Sequence, residues 1–270
     1  YLNKGDLVIA CFGHSSDTEG EASDRTFALP EVDKKMLASL SGCKKPIIGV
    51  VNAGGNIEMQ GWVPTLKGLI WAFYGGQEAG TAVGEALFGK INPSGKLPMT
   101  FEKKWEDNPA YNSYYDPDGD KHVAYTEGIF IGYRGYDKLK REVQYPFGYG
   151  LSYTTFKLSD LTVSKPNADG TVEVTCRLAN TGKRDGAQVV QAYVGKTESS
   201  PVERPEKELR KFEKVFLKAG ESTTVKMTLP KESFMYFDVN STQFVTDPGT
   251  YNIMLGFSSR DIKIQKNIQY

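Results

Sequence analysis

The chain has 270 residues, which is enough for two ordinary domains with separate cores. Lys plus Arg and Asp plus Glu each number 33, and this balance argues against a nucleic-acid or membrane-surface partner. The three cysteines are widely spaced without a C-x-x-C pair, so the sequence indicates neither a disulfide framework nor a zinc site.

The N-terminal part of the chain alternates strand and helix patterns. They are, in order, 6–12 (strand), 30–40 (helix), 46–52 (strand), 68–74 (strand) and 77–88 (helix). Strands that alternate with helices indicate a parallel sheet covered on both faces. Such sheets bind ligands in the loops after the C-terminal ends of their strands, and the polar loop 13–29 lies in that position.

The predicted parallel sheet is small. Three strands leave an edge of unpaired backbone groups, and the first strand lies at the very start of the sequence. The sequence also begins with Tyr1 rather than Met. We therefore expect further strands, and whole domains, ahead of Tyr1 in the complete protein.

The C-terminal part follows a different pattern. From about residue 155 onward apolar and polar residues alternate, most clearly in 171–179, 189–194, 222–229 and 250–256. Turn signals separate these segments, which predicts an antiparallel β-sandwich of about seven strands. Between the two parts, 102–149 is rich in Tyr, Gly, Pro and Asp, and we expect it to be an ordered linker that covers a surface.

Short motifs along nearly the whole chain resemble glycoside hydrolase family 3 and follow one another in that family's order. They are EGEASDR (19–25), ALP (28–30), GGQEAG (75–80), LFG (87–89), NPSGKLP (92–98), YTEG (125–128), GYR (132–134), FGYGLSY (147–153) and GFSSRDI (256–262). Each motif is weak alone, and their order makes the resemblance specific.

The resemblance implies an α/β fold with a partial, mostly parallel sheet sandwiched by helices, followed by an all-β fibronectin type III-like, immunoglobulin-like sandwich. We place the later part of the α/β sandwich domain at 1–110, an aromatic-rich linker at 111–154 and the fibronectin type III-like domain at 155–270. An upstream barrel would hold the nucleophilic Asp and most contacts to the terminal sugar. This chain on its own is therefore expected to be inactive.

The activity that the resemblance implies is that of a retaining exo-β-glycosidase, first of all a β-glucosidase that removes terminal non-reducing β-D-glucosyl residues from oligosaccharides. No cofactor or metal is implied. The expected partners are the glycoside substrate and the chain's own barrel, with a homodimer as one arrangement, and a periplasmic or secreted location is favoured over the cytoplasm. A β-xylosidase of the same family and a noncatalytic carbohydrate-associated module are the alternatives.

Retaining glycosidases need two carboxyl groups about 5–5.5 Å apart, one as nucleophile and one as acid/base. Glu21 lies three residues before Asp24-Arg25, which is the place of the acid/base in the family motif. Glu19, two residues earlier, is the nearest alternative. The residues alone are equally compatible with a solvated acidic loop that has no catalytic role. Its acidic side chains would be Asp17, Glu19, Glu21 and Asp24.

Five other side chains in or after the loop have competing interpretations. Arg25 and Asp24 fit an anchoring role better than substrate contact. His14 is interpreted as a surface residue rather than part of an outer sugar subsite. Trp62 and Trp71 could stack on sugars, but Trp71 lies within an apolar strand and is expected in the core.

Overall fold

The computed structural model describes residues 5–21, 23–116 and 119–270, and these form two compact units. The first contains the residues up to Ile91 and Phe101–Asp107, and the second contains Asn92–Thr100 and Asn108–Tyr270. The described part of the chain is mostly sheet with few helices. None of its helices has both the length and the apolar character needed to cross a membrane.

The helices are α1 (Glu31–Ser39), α2 (Ala79–Leu87) and α3 (Tyr133–Lys138). The strands of the first unit are β1 (Val8–Gly13), β2 (Ile47–Asn52), β3 (Gly68–Trp71) and β4 (Phe101–Glu102). The strands of the second unit are β5 (Val143–Tyr145), β6 (Phe156–Val163), β7 (Val172–Asn180), β8 (Gly186–Lys196), β9 (Glu208–Leu217), β10 (Ser222–Leu229), β11 (Met235–Asp238), β12 (Gln243–Thr246), β13 (Thr250–Ser258) and β14 (Asp261–Gln269).

The first unit is built on a parallel sheet in the order β1-β2-β3. The central strand β2 buries Val50 and Val51, as its continuous apolar run predicts. Strand β1 buries Ala10 but exposes Ile9, so only one of its faces is covered. The prediction of a mostly parallel sheet therefore holds for these three strands, whereas the sheets of the second unit are antiparallel.

Strand β1 ends at Gly13, where the chain turns into the polar loop. Gly13 has φ +136°, and a Cβ at this position would overlap the main-chain oxygen of Asn52 at the end of β2. The next residue, His14, donates its backbone N–H to that same oxygen at 2.7 Å. A residue without a side chain is thus needed for the loop to start against the end of the neighbouring strand.

The second unit contains an antiparallel sandwich of two sheets, β10-β7-β6 and β14-β13-β8-β9. These seven described strands agree with the number that the alternating pattern predicts, and β10 has the predicted bounds 222–229. Strand β7 alternates buried and more exposed residues along its length. Its inward side chains Val174, Cys176 and Leu178 lie in the shared core, together with Ile253 and Leu255 of β13.

Side chains of the aromatic-rich stretch before the sandwich contact one another and residues at the start of β9. Tyr133, in α3, stacks on Phe147 with ring centroids 5.0 Å apart, and its hydroxyl accepts a hydrogen bond from the Leu209 backbone N–H at 2.8 Å. Asp137 of α3 accepts a hydrogen bond from Lys207 Nζ at 2.6 Å. Helix α3 was not predicted, because six residues are too few to show a helical period.

Candidate catalytic loop

Three chain segments meet at the C-terminal edge of the parallel sheet. The polar loop leaves β1 after Gly13, the pair Gly54-Gly55 follows β2, and Phe73-Tyr74 follows β3. Because parallel strands end at the same edge, segments that are far apart in sequence are brought together here. This edge is where the sequence predicts the functional loop.

Glu19 connects all three segments through its carboxylate. Its Oε1 accepts a hydrogen bond from Arg25 Nε at 3.0 Å, within the same loop. Its Oε2 accepts one from the Gly54 backbone N–H at 3.0 Å and one from the Tyr74 hydroxyl at 2.5 Å. We call Glu19, Arg25, Gly54 and Tyr74 the Glu19 clamp.

The clamp keeps Glu19 ionised. Burial raises the pKa of its carboxyl, but the hydrogen bonds from Tyr74, Gly54 and Arg25 outweigh burial and lower the pKa to about 2. A carboxyl group with that pKa carries no proton near neutral pH. Glu19 is therefore suited to hold the loop and unsuited to protonate a leaving group.

Arg25 holds the other side of the loop, in the anchoring role expected for it. Besides Glu19, its guanidinium donates to the backbone oxygens of Asn56 at 2.7 Å and Thr26 at 3.1 Å. The Asn56 contact ties the loop to the segment after β2. The rigid planar fork of arginine suits such a set of acceptors, which a lysine could not reproduce.

Gly54 leaves the space in which Glu19 binds. A Cβ on Gly54 would lie 3.0 Å from Glu19 Oε1 and 3.3 Å from Tyr74 Cε2. Those distances are tighter than ordinary contacts, so a side chain there would push the carboxylate away from the Gly54 N–H. The glycine after β2 thus serves close approach of the carboxylate to the backbone.

Glu21 has different surroundings from Glu19. It is exposed and forms no hydrogen bond with any residue that the structure describes. On either side of it, Gly20 and Ser23 form an isolated antiparallel bridge, and Ser23 Oγ donates to the Gly20 oxygen at 3.3 Å. Within the part of the chain that the structure describes, the carboxyl group of Glu21 is thus exposed and without a hydrogen-bond partner, on a short turn that begins one residue after the clamped Glu19.

His14 contradicts its interpretation as a surface residue. Only 7% of it is exposed, and its Nδ1 lies 3.1 Å from Thr18 Oγ1. Burial, with help from the nearby Arg25 charge, lowers the pKa of the imidazole. The polar sequence around His14 suggested exposure, but the turn at Gly13 places the ring beneath the loop instead.

The two tryptophans pack inside the first unit. Trp62 is buried, donates Nε1–H to the Glu58 oxygen at 2.6 Å and meets Phe12 edge-on at 5.0 Å, so it is closed to sugar stacking. Trp71 is half-buried rather than fully within the core, and it meets Phe101 edge-on with centroids 4.7 Å apart. Among the described residues, no three His, Cys, Asp or Glu side chains converge as a metal site requires.

Two family models match the chain. Residues 1–133 match the glycosyl hydrolase family 3 C-terminal domain, and residues 188–259 match the fibronectin type III-like domain. Residues 1–133 belong to glycosyl hydrolase family 3. The resemblance inferred from the short motifs is thereby confirmed, and the Glu19 clamp lies within the matched family 3 domain.

The relatives of this chain are considerably longer than it is. The thermostable β-glucosidase B of Acetivibrio thermocellus is 38% identical over 99% of this chain, which spans 35% of that protein. The exo-α-(1→6)-L-arabinopyranosidase of Bifidobacterium longum is 37% identical over 95% of this chain, which spans 34% of it. β-Glucosidase 3B of Thermotoga neapolitana, solved with α-D-glucose, is 34% identical with a TM-score of 0.91, over 99% of this chain and 38% of its own. The chain thus spans about a third of the length of these family 3 relatives.

Two members of the clamp were missed by sequence reasoning. Tyr74 was assigned only to the end of the predicted strand 68–74, and Gly54 was not singled out at all. Neither has a local signal, since Tyr74 lies 55 residues from Glu19 in sequence. Aligning the ends of the three predicted strands at one sheet edge is the signal that could have brought them together.

The clamp predicts an acid-sensitive contribution to stability. Because the pKa of Glu19 is about 2 in the folded chain against 4.5 ordinarily, its contribution is present above pH 4.5 and is lost as the pH falls toward 2. We expect Glu19→Gln to lower the thermal unfolding midpoint at pH 7 and to change it progressively less between pH 4.5 and 2. Melting curves across this range test the expectation, and a difference that does not vary with pH would contradict it.

Proposed function

We propose that this chain supplies the acid/base residue and the two C-terminal domains of a retaining exo-acting β-glucosidase. The observation that carries the proposal is that two neighbouring carboxyl groups have different surroundings. Glu19 is ionised and fixed to the sheet edge, whereas Glu21, on the turn that follows, is exposed and has no hydrogen-bond partner among the described residues. To deliver a proton to a bound glycoside, a loop must be held in place and must present an accessible carboxyl group. The clamp and Glu21 meet these two requirements.

In the proposed reaction Glu21 acts twice. It first donates its proton to the glycosidic oxygen, while a nucleophilic Asp on an upstream barrel attacks the anomeric carbon and the bond to the leaving group breaks. Glu21, now a carboxylate, then removes a proton from water, which attacks the same carbon and releases the sugar and the Asp. This double displacement retains the anomeric configuration, and it needs the two carboxyl groups about 5–5.5 Å apart.

The names of the relatives support glucose as the sugar. The Acetivibrio and Thermotoga proteins are both named β-glucosidases, and the Thermotoga structure holds glucose. A pentosidase is the second candidate, because a relative of nearly equal identity is named an arabinopyranosidase. A β-xylosidase would fall in the same class of pentose substrates. We place the residues that select the sugar on the upstream barrel.

Hydrolysis of aryl glycosides by the full-length protein tests the proposal. The panel contains the β-D-glucoside, the β-D-xyloside and the α-L-arabinopyranoside, and proton NMR identifies the first anomer released. We expect the β-glucoside to be cleaved fastest, with β-glucose appearing before mutarotation. Release of α-glucose first would show inversion and contradict the proposal. Failure to cleave any member would favour a noncatalytic module.

A further inference from the structure

Tyr74 is the residue through which the end of β3 contacts the catalytic loop. Its hydroxyl donates to Glu19 Oε2 at 2.5 Å, although 55% of the residue is exposed. Strand β3 is held in the sheet by its pairing with β2, in which Val51 faces Trp71. Tyr74 follows this paired strand by three residues, so it is attached to a rigid element.

The backbone between β3 and Tyr74 adopts an unusual conformation. Phe73 has φ +51°, in the left-handed region that bulky residues rarely enter. Such a conformation costs free energy and persists only where the surrounding structure determines it. The residue immediately before Tyr74 is therefore held in a costly geometry at the edge that carries the loop.

The donors to the Glu19 carboxylate differ in which segment of the chain they come from. Arg25 belongs to the same loop, so its bond to Glu19 does not by itself fix the carboxylate to the sheet. The Gly54 N–H and the Tyr74 hydroxyl are the two donors from other strand ends, and both act on Oε2. Removal of the Tyr74 hydroxyl would leave Glu19 with one direct bond to the sheet edge.

We propose that Tyr74 is a positioning residue for Glu21 and acts through Glu19. This inference rests on the proposed function, since it assumes that Glu21 is the acid/base. The path runs from the end of β3 through the Tyr74 hydroxyl to Glu19. From there the backbone enters the Gly20–Ser23 bridge that contains Glu21. Tyr74 touches neither the substrate nor the reacting atoms in this scheme.

The protonation state of Tyr74 suits this part. Burial and the hydrogen bond to the Glu19 carboxylate raise the pKa of the phenol to about 12. The hydroxyl therefore remains a donor around neutral pH, where Glu19 is ionised. The contact between the two residues does not change with pH near neutrality.

Tyr74→Phe in the full-length protein tests the inference, because it removes the hydroxyl and keeps the ring. We expect kcat/KM for an alkyl β-glucoside to fall by about 10- to 100-fold, the scale of a small misplacement of a catalytic group. For a 2,4-dinitrophenyl β-glucoside we expect at most a small loss, because that leaving group departs without a proton. Tyr125→Phe, at a tyrosine that is 81% exposed, is the control and should leave both rates unchanged. Equal losses on both substrates would indicate general damage and overturn the inference.

A double-mutant cycle with Glu19→Gln makes the test decisive. If Tyr74 acts through Glu19, adding Tyr74→Phe to the Glu19→Gln variant should lower kcat/KM for the alkyl glucoside little further. Additive losses would overturn the inference. Glu21→Ala, measured in parallel, separates the two proposals. If Glu21→Ala loses activity only on the alkyl glucoside while the losses in the cycle are additive, only the role of Tyr74 is refuted. Coupling in the cycle beside an unaffected Glu21→Ala variant refutes the proposed function.

Discussion

Replacing Glu21 by Ala in the full-length protein is expected to lower kcat/KM for alkyl β-glucosides by about 10³-fold, since general acid catalysis typically contributes about 10²- to 10⁴-fold. The loss should be much smaller for 2,4-dinitrophenyl β-glucoside, whose phenolate departs without protonation. With that substrate the glycosyl-enzyme should accumulate, because its hydrolysis still needs a base. A burst of dinitrophenol followed by slow turnover, measured by stopped-flow absorbance, is the expected record.

Asp17 offers a matched control for the Glu21 substitution. It is an exposed acidic residue in the same loop, so Asp17→Ala removes a carboxyl group from similar surroundings. We expect kcat/KM to remain within about twofold of the parent value, as for surface substitutions with effects below about 0.5 kcal/mol. If Glu21→Ala behaves like Asp17→Ala, Glu21 is a bystander and Glu19 is the next candidate.

The second large effect is expected from Glu19→Gln. The amide keeps the size of the side chain but loses the charge that attracts the donors from Arg25, Gly54 and Tyr74. Hydrogen bonds to charged groups contribute about 1.5–3 kcal/mol, so we expect the free energy of unfolding to fall by about 2 kcal/mol at pH 7. Displacement of the loop should lower kcat/KM for alkyl β-glucosides by about 10²-fold.

Glu31→Gln is the control for this substitution. Glu31 pairs with Lys34 on the exposed surface of α1, so the same chemical change is made where no clamp exists. Thermal unfolding and kinetics should match those of the parent. Should Glu19→Gln also match the parent in both measurements, the clamp would not hold the loop.

Periodicity and turn signals were sufficient to predict much of the architecture. The sandwich strands alternate because each has one face in the core and one in solvent, as β7 shows. Strand β10 needed no correction, because its alternating pattern ends at Pro230, which cannot extend a paired strand. The apolar run of β1 did not reveal that Ile9 is exposed. A continuous run of apolar residues does not show which face of the strand is covered by another part of the protein.

The loop 13–29 shows where sequence reasoning stops. Glu19 and Glu21 are the same residue type two positions apart, and only the family motif distinguished them. The hydrogen bonds that keep Glu19 ionised come from Gly54 and Tyr74, which lie 35 and 55 residues from it in sequence. The burial of His14 has a similar origin, because it depends on how Gly13 fits against Asn52 rather than on the polar residues around it.

The most direct test of the assignment is the product formed from 2,4-dinitrophenyl β-glucoside in the presence of sodium azide. Without the Glu21 carboxylate, a small anion can attack the glycosyl-enzyme where water can no longer be activated. The Glu21→Ala protein should therefore turn over faster with azide and release β-glucosyl azide, whereas Glu19→Gln, which keeps Glu21, should release only glucose. Formation of β-glucosyl azide by a Glu19 variant, with none from Glu21→Ala, would contradict the assignment and make Glu19 the acid/base.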